Sequence, residues 1–446
     1  MKTSMGVTVV SVGLFAAACA AAPPVNPGGP GHLPPPAPAG FDNASNGLTD
    51  DATHQVDQGK FDEFEEISDG LGPLYNAQSC RECHQNPVSG GPSQVLELRV
   101  GHKGHDGVFQ NPEIPINGGA EVIKGRSLVN QRAICPNGAF PTTEIQERVP
   151  DSENIRTFRI SVNLLGDGFV EAVDDSALIE LSRKQCKETH GRICGLALYV
   201  PVVESPGTTR IGRFGWKDQH ASLLSFSGDA YINEMGITNA LFPDEVTKLC
   251  NTVSEPNNTP EADGLADIDH FTRFVRATKA PALDARQAAT PAARKGEALF
   301  GRIGCEICHV PTLVTAAAGT VVNGGKYAIP EALGNKSFHP YSDYLLHDVG
   351  TGDGIAIAME EHYGKKMYQI KWKNLSLENH RSSANKLRTA PLWGVRMHPM
   401  LMHDGASVTF REAILRHRGE ASDVTRHFEQ LSQADQQAIV EFLKCL

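Results

Sequence analysis

A mainly α fold of two similar domains, the first carrying a β-containing insertion, is what this 446-residue chain predicts. Three observations point there. Cys80-Arg81-Glu82-Cys83-His84 has a near twin in Cys305-Glu306-Ile307-Cys308-His309. A short helical pattern precedes each copy. Between the copies, over about 93–213, the chain turns to short β-prone runs separated by turn signals.

The doubled motif carries the chemistry. Cys-x-x-Cys-His is the pattern of covalent c-type haem attachment: two thiols add to the vinyl groups, and the adjacent His reaches the iron. With 10 Cys and 17 His in the chain, a given Cys is followed by x-x-Cys-His by chance roughly one time in a thousand. Two copies are no accident. A four-cysteine zinc site needs no His after each pair and keeps its knuckles close in sequence. A thioredoxin-like pair expects one motif near a βαβ pattern. Two covalent haems are therefore expected, on Cys80, Cys83 and His84 and on Cys305, Cys308 and His309.

Residues 1–22 read as a secretory signal, with Lys2 ahead of an apolar and small run. Cleavage after Ala16-Ala17-Ala18 leaves Cys19 first and open to lipid modification; simple cleavage a few residues later is the alternative. Either way the chain is expected outside the cytoplasm, where c-type haem is attached. Residues 23–44 are rich in Pro, Gly and Ala and read as an extended spacer. A net charge of −11 argues against a nucleic-acid surface, and beyond the signal no stretch is long enough to span a bilayer.

The first haem domain is expected over 45–285 and the second over 286–446. Phe61, Phe64 and Ile67 fall at helical spacing before the first motif. Before the second, Thr290-Pro291 reads as N-cap and first helical residue. Helix, turn and Cys-x-x-Cys-His is how small cytochrome c-like domains begin. Ser432 and Asp435 start a last helix whose Ala438, Ile439, Phe442 and Leu443 share one face. In the insertion, 95–100, 157–162, 168–173 and 196–203 read as strands. Some of Cys135, Cys186, Cys194, Cys250 and Cys445 are expected to pair in an oxidising compartment, with at least one left over.

Ala390-Pro391-Leu392-Trp393-Gly394, Met402-His403-Asp404-Gly405 and Thr409-Phe410-Arg411-Glu412-Ala413-Ile414 resemble the C-terminal half of bacterial di-haem cytochrome c peroxidases and MauG. They are more similar to the di-haem oxidoreductase branch of that superfamily, with peroxidase-like and thiol oxidoreductase-like members. Residues 61–91 and 213–239 fit the branch too, and the resemblance covers most of 45–446. In the peroxidases a Met fourteen residues past the His of His-Asp-Gly is the distal ligand of the second haem; MauG has Tyr. Here that place holds His417, with Met402 as rival. The resemblance makes Trp216 the residue between the haems and Glu234 the acid-base group, although Phe226 stands where the peroxidases carry Gln. His102 and His105 are the nearest candidates for a distal ligand on the first haem. His347-Asp348 resembles a family loop without an assigned role.

The resemblance implies an exported enzyme of a bacterial periplasm or cell envelope, held to the membrane only through lipid at Cys19. It would reduce hydrogen peroxide or another small oxidant with electrons from a small cytochrome c or cupredoxin. Two alternatives stand beside it: a non-enzymatic two-haem electron relay, and a MauG- or rubber-oxygenase-like oxidase of another substrate.

Overall fold

The computed structural model describes residues 33–135, 141–247, 249–250, 259–357, 360–363, 366–369 and 381–446. The expected signal, Cys19 and the first part of the spacer lie outside them. The mainly α expectation is corrected to a mixed structure, 34% helical and 14% strand, whose strands form small sheets of two or three. Among the described residues no helix is long and apolar enough to cross a membrane.

In each half a helix ahead of the motif packs on a helix that closes the half. Asp51–Asp62 lies against Asp267–Ala277, and Pro291–Ile303 against Gln433–Leu443. The caps read from the sequence are present. Thr290 Oγ1 accepts from Ala293 N at 3.2 Å, and Ser432 Oγ accepts from Asp435 N at 3.2 Å, each satisfying an amide with no partner inside its helix. The second crossing is close because Gly296 faces it: a Cβ there would sit 1.9 Å from the Ala438 carbonyl oxygen. Around that contact Leu299, Phe300, Phe428, Ile439 and Phe442 form one apolar cluster.

The helix before the first motif is shorter than its spacing suggested. Glu63 turns extended and ends it at Asp62, so Phe61 is buried while Phe64 is 60% exposed, and Ile67 opens a separate single turn. In the insertion, Leu96–Lys103 pairs antiparallel with Ile155–Ile160, Glu97 opposite Arg159. Leu98 and Val100 pack into a core with Leu74 and Ile114, so Glu97 and Arg99 stand on the opposite face. Tyr199–Pro201 is a strand as expected. Residues 168–173 are not. Asp167–Glu171 is a short helix buried along its whole length, and an apolar run without period does not tell a buried strand from a buried helix.

The largest apolar core crosses the expected boundary near 285. Leu313, Phe338, Tyr344 and Trp393 pack in it with Phe61, Phe169, Tyr231 and Phe274. The end of the spacer is extended, as expected, but it is docked on the body and does not stand off from it. Residues 34–40 bond both halves, Ala37 N donating to Ser337 O at 2.7 Å and Gly40 N to Ala280 O at 2.9 Å. Disulfides join Cys135 to Cys250 and Cys186 to Cys194, and Cys445 is a buried free thiol.

Gly296→Ala should lower stability by about 1–3 kcal/mol, the usual cost of forcing atoms into a filled contact. Gly59, exposed in the middle of the Asp51–Asp62 helix with nothing within 4 Å of its Cβ position, is the control: Gly59→Ala should add roughly 0.5–1 kcal/mol. Chemical denaturation of both variants checks this, and an unchanged Gly296→Ala would refute the close crossing.

Candidate active site

The first motif is set by a cap. Ser79 Oγ accepts from Glu82 N at 3.2 Å, starting the short Cys80–Cys83 helix, which turns Cys80, Cys83 and His84 toward two adjoining cavities. His84, Glu97, Phe226 and Glu234 line both. Burial, reinforced by nearby carboxylates, pushes both thiols far up, so they are poor sources of the thiolates a zinc site requires. They are also unpaired. Burial lowers His84 to about 4, so its ring is neutral, and its buried Nδ1 has no hydrogen-bond partner. A neutral imidazole beside two protonated thiols on an open wall fits covalent haem.

Glu234 reaches the same cavities from Tyr231–Met235, a π-type turn continuing the Leu223–Ala230 helix. Such turns often mark functional sites, because the extra residue redirects a side chain. Asn76 Nδ2 donates to Glu234 Oε2 at 3.0 Å. Burial, then the neighbouring Glu97, raise Glu234 to about 8 against the pull of Arg99, so it holds a proton at neutral pH. Phe226 lines the cavity, stacked on Phe214 at 6.0 Å.

Sequence reading missed Glu97, Arg99, Arg126 and the His220–Asp229 pair, all on this cavity wall. Arg99 Nη2 donates to Glu97 Oε2 at 2.7 Å, and Nε of both Arg99 and Arg126 is buried without a partner. The available signal was Glu97 and Arg99 alternating with apolar residues, a charged face on a strand with a buried reverse side. His102 and His105 do not reach the site: His102 Nδ1 is 2.7 Å from Glu153 Oε2, His105 is exposed, and neither lines the cavities.

The second cavity holds Cys305, Cys308, His309 and His417 among apolar walls of Phe300, Ile303, Leu392 and Ile414. His309 Nδ1 lies 2.9 Å from Tyr341 O, and His417 Nδ1 lies 2.8 Å from Ala413 O. A carbonyl only accepts, so each Nδ1 carries the proton and each Nε2 keeps its lone pair. The ring centroids are 6.5 Å apart, close to what two metal–nitrogen bonds of roughly 2 Å along one axis require. Burial keeps both rings neutral, with His309 lowered to about 4. His417 ends the Phe410–Arg416 helix and faces the cavity. Met402 lines the same cavity from a left-handed backbone position, φ 68°.

Trp216 lines both the second cavity and the first. Its Nε1–H donates to Ile160 O at 2.8 Å, and its ring meets His403 edge-on at 6.1 Å. Behind Cys308, His347 lies between two carboxylates, Nε2 2.9 Å from Asp343 Oδ2 and Nδ1 2.9 Å from Glu420 Oε2. Burial opposes its charge, but the Cys308 sulfur and Asp343 hold it well above the usual range. Burial likewise opposes the charge on Glu420, yet hydrogen bonding from His347 takes it down to about 2.

The sequence pattern of the family described as "Di-haem oxidoreductase, putative peroxidase" matches residues 140–446. No curated protein matches the chain. Among solved structures, hydrazine synthase of Kuenenia stuttgartiensis is similar over 100% of both chains at 13% identity and a TM-score of 0.36. A MauG-like protein associated with microbial copper homeostasis is similar over 94% of this chain and 93% of that one, at 15% identity and a TM-score of 0.35. A variant of the diheme peroxidase BthA from Burkholderia thailandensis is similar over 89% of this chain and 86% of that one, at 14% identity and a TM-score of 0.36.

The Asp343–His347–Glu420 cluster sets a pH window. His347, raised, stabilises below its ordinary value and loses that contribution as pH rises through its folded value; Glu420, lowered, stabilises above its ordinary 4.5 and loses this as pH falls toward about 2. Glu420→Gln should therefore cost about 3 kcal/mol at pH 6, as for a broken buried pair. The deficit should shrink toward pH 2, and denaturant unfolding at the two pH values measures it.

Proposed function

Because the chain belongs to the di-haem oxidoreductase family, peroxidase-type enzymes built around two haems, we propose that it reduces hydrogen peroxide in a bacterial cell envelope. Electrons come from a small cytochrome c or cupredoxin. Export rests on residues 1–22, and Cys19 offers a lipid anchor. The observation that carries the reading is a cavity walled by Cys305, Cys308 and His309 that meets, at Trp216, a cavity lined by His84 and Glu234, with Cys80 and Cys83 on the adjoining cavity that His84 and Glu234 also line.

Cys80 and Cys83 would hold one haem and Cys305 and Cys308 the other, with His84, His309 and His417 as iron ligands. The haems supply one-electron steps between a protein donor and a two-electron oxidant. Hydrogen peroxide takes up two electrons and two protons and leaves as two waters. Glu234 carries a proton at neutral pH and lies where peroxide would enter, so it protonates the departing oxygen. Phe226 offers the oxidant no hydrogen bond, so the polar contacts there come from the other side chains of the cavity. In the second cavity the Tyr341 and Ala413 carbonyls hold both imidazoles in the tautomer that leaves Nε2 available to a metal.

His417→Gly should convert one low-spin EPR signal to high-spin and open that iron to carbon monoxide; an unchanged spectrum would return the ligand role to Met402. Glu234→Gln should leave an intact mass two haems above the apoprotein while peroxide turnover with a reduced cytochrome falls roughly 10²–10⁴-fold. A parent protein with no turnover and no iron open to ligands would replace the enzyme by an electron relay.

A further inference from the structure

We propose that Glu97, held by Arg99, is a second catalytic carboxylate of the peroxide site, taking the proton that peroxide loses while Glu234 delivers one to the departing oxygen. This rests on the peroxide reading above and divides between two residues the transfer otherwise given to Glu234 alone.

The geometry begins with strand register. Glu97 and Arg99 occupy alternate positions of Leu96–Lys103, with Val100 buried and Leu98 partly buried against the core on the other face, so both stand on the cavity side. Glu97 lies opposite Arg159. Glu234 enters from a different element, the turn at Tyr231–Met235. Both carboxyl groups line the same two cavities as His84. Arg99 Nη2 binds Glu97 Oε2 at 2.7 Å and leaves a buried Nε without a partner. The site thus offers one carboxylate already paired with a cation, one carboxyl kept protonated by its surroundings, and a spare guanidinium donor.

Two neighbouring carboxyl groups do not both ionise readily, and Glu97 is the one that holds a guanidinium, Arg99 Nη2 at 2.7 Å. Glu97 faces Arg99 on its own strand, Arg159 across the sheet, Glu234 from the turn, and Asp229, Arg126 and His84 around the cavity. The paired group is the base. It accepts one peroxide proton as the O–O bond breaks, and Glu234 gives its proton to the oxygen that leaves as water. A proton returning from Glu97 to the remaining oxygen, one proton from solvent and two electrons from the protein donor complete the second water, and a second solvent proton restores Glu234. Arg99 Nε stabilises the negative charge that develops between them.

The test uses the holoprotein. Infrared titration follows the protonated carboxyl of Glu234, identified by its loss in Glu234→Gln, while peroxide turnover is measured across pH with a reduced cytochrome. In Glu97→Gln the Glu234 midpoint should fall below that of the parent, because the neighbouring negative charge is gone. Turnover should drop roughly 10²–10⁴-fold, with haem spectra unchanged and partial rescue by Glu97→Asp. If Glu97→Gln does not accumulate, Glu97→Gln combined with Arg99→Gln removes both charges and carries the same readouts. A parent that reduces peroxide beside a Glu97→Gln variant with full rate overturns this inference and leaves the peroxide reading standing, whether or not the midpoint moves. A parent without turnover overturns the peroxide reading itself, and the catalytic role of Glu97 with it.

Discussion

The backbone of Ile160 fixes the spacing of the two cavities. Its N–H donates to His403 O at 2.7 Å, and its carbonyl accepts the Trp216 indole N–H at 2.8 Å. One residue from the insertion thus ties the His-Asp-Gly loop of the second half to the tryptophan that lines both chambers. A peptide group has one donor and one acceptor and a rigid plane between them, so neither neighbour can shift without losing a buried hydrogen bond. Arg388 N adds a third tie by donating to Trp216 O at 2.9 Å.

The chambers on either side differ in kind. The one at His309 and His417 is apolar, with imidazoles kept neutral by burial and oriented by backbone carbonyls. The one at His84 is walled by ion pairs: Arg99 with Glu97, Arg126 with Glu147, and Arg159 and Lys217 both on Asp353. Charges taken from water are tolerated only when paired. Their concentration around His84 sets that chamber apart from the apolar one.

The insertion also braces the second motif. Gln185 Nε2 donates to Ile307 O and to Asp343 Oδ2, each at 2.6 Å. The Cys186–Cys194 disulfide closes the loop beside it, and Cys194 N donates to Glu420 at 3.0 Å. Asp343 and Glu420 in turn hold His347 behind Cys308. The first half therefore positions a motif belonging to the second, which is why the main core ignores the boundary near 285.

Local features were legible in the sequence because local rules make them. The two Cys-x-x-Cys-His runs, the Thr290 and Ser432 caps and the face of the closing helix depend on neighbours within a few residues. The family resemblance located Glu234, Trp216 and His417, all three of which line the cavities. Where period was absent or misleading the reading failed: 168–171 is helical, Phe64 is outside, and residues 34–40 are docked. Glu97, Arg99 and Arg126 acquired meaning only once strand register and a distant turn brought them around His84. Sequence by itself determined where the two Cys-x-x-Cys-His motifs lie, since spacing and residue type define them. Tertiary structure alone decided which charges surround which motif, because strand register and packing gather Glu97, Arg99, Arg126 and Glu234 around His84 from separate stretches of the chain.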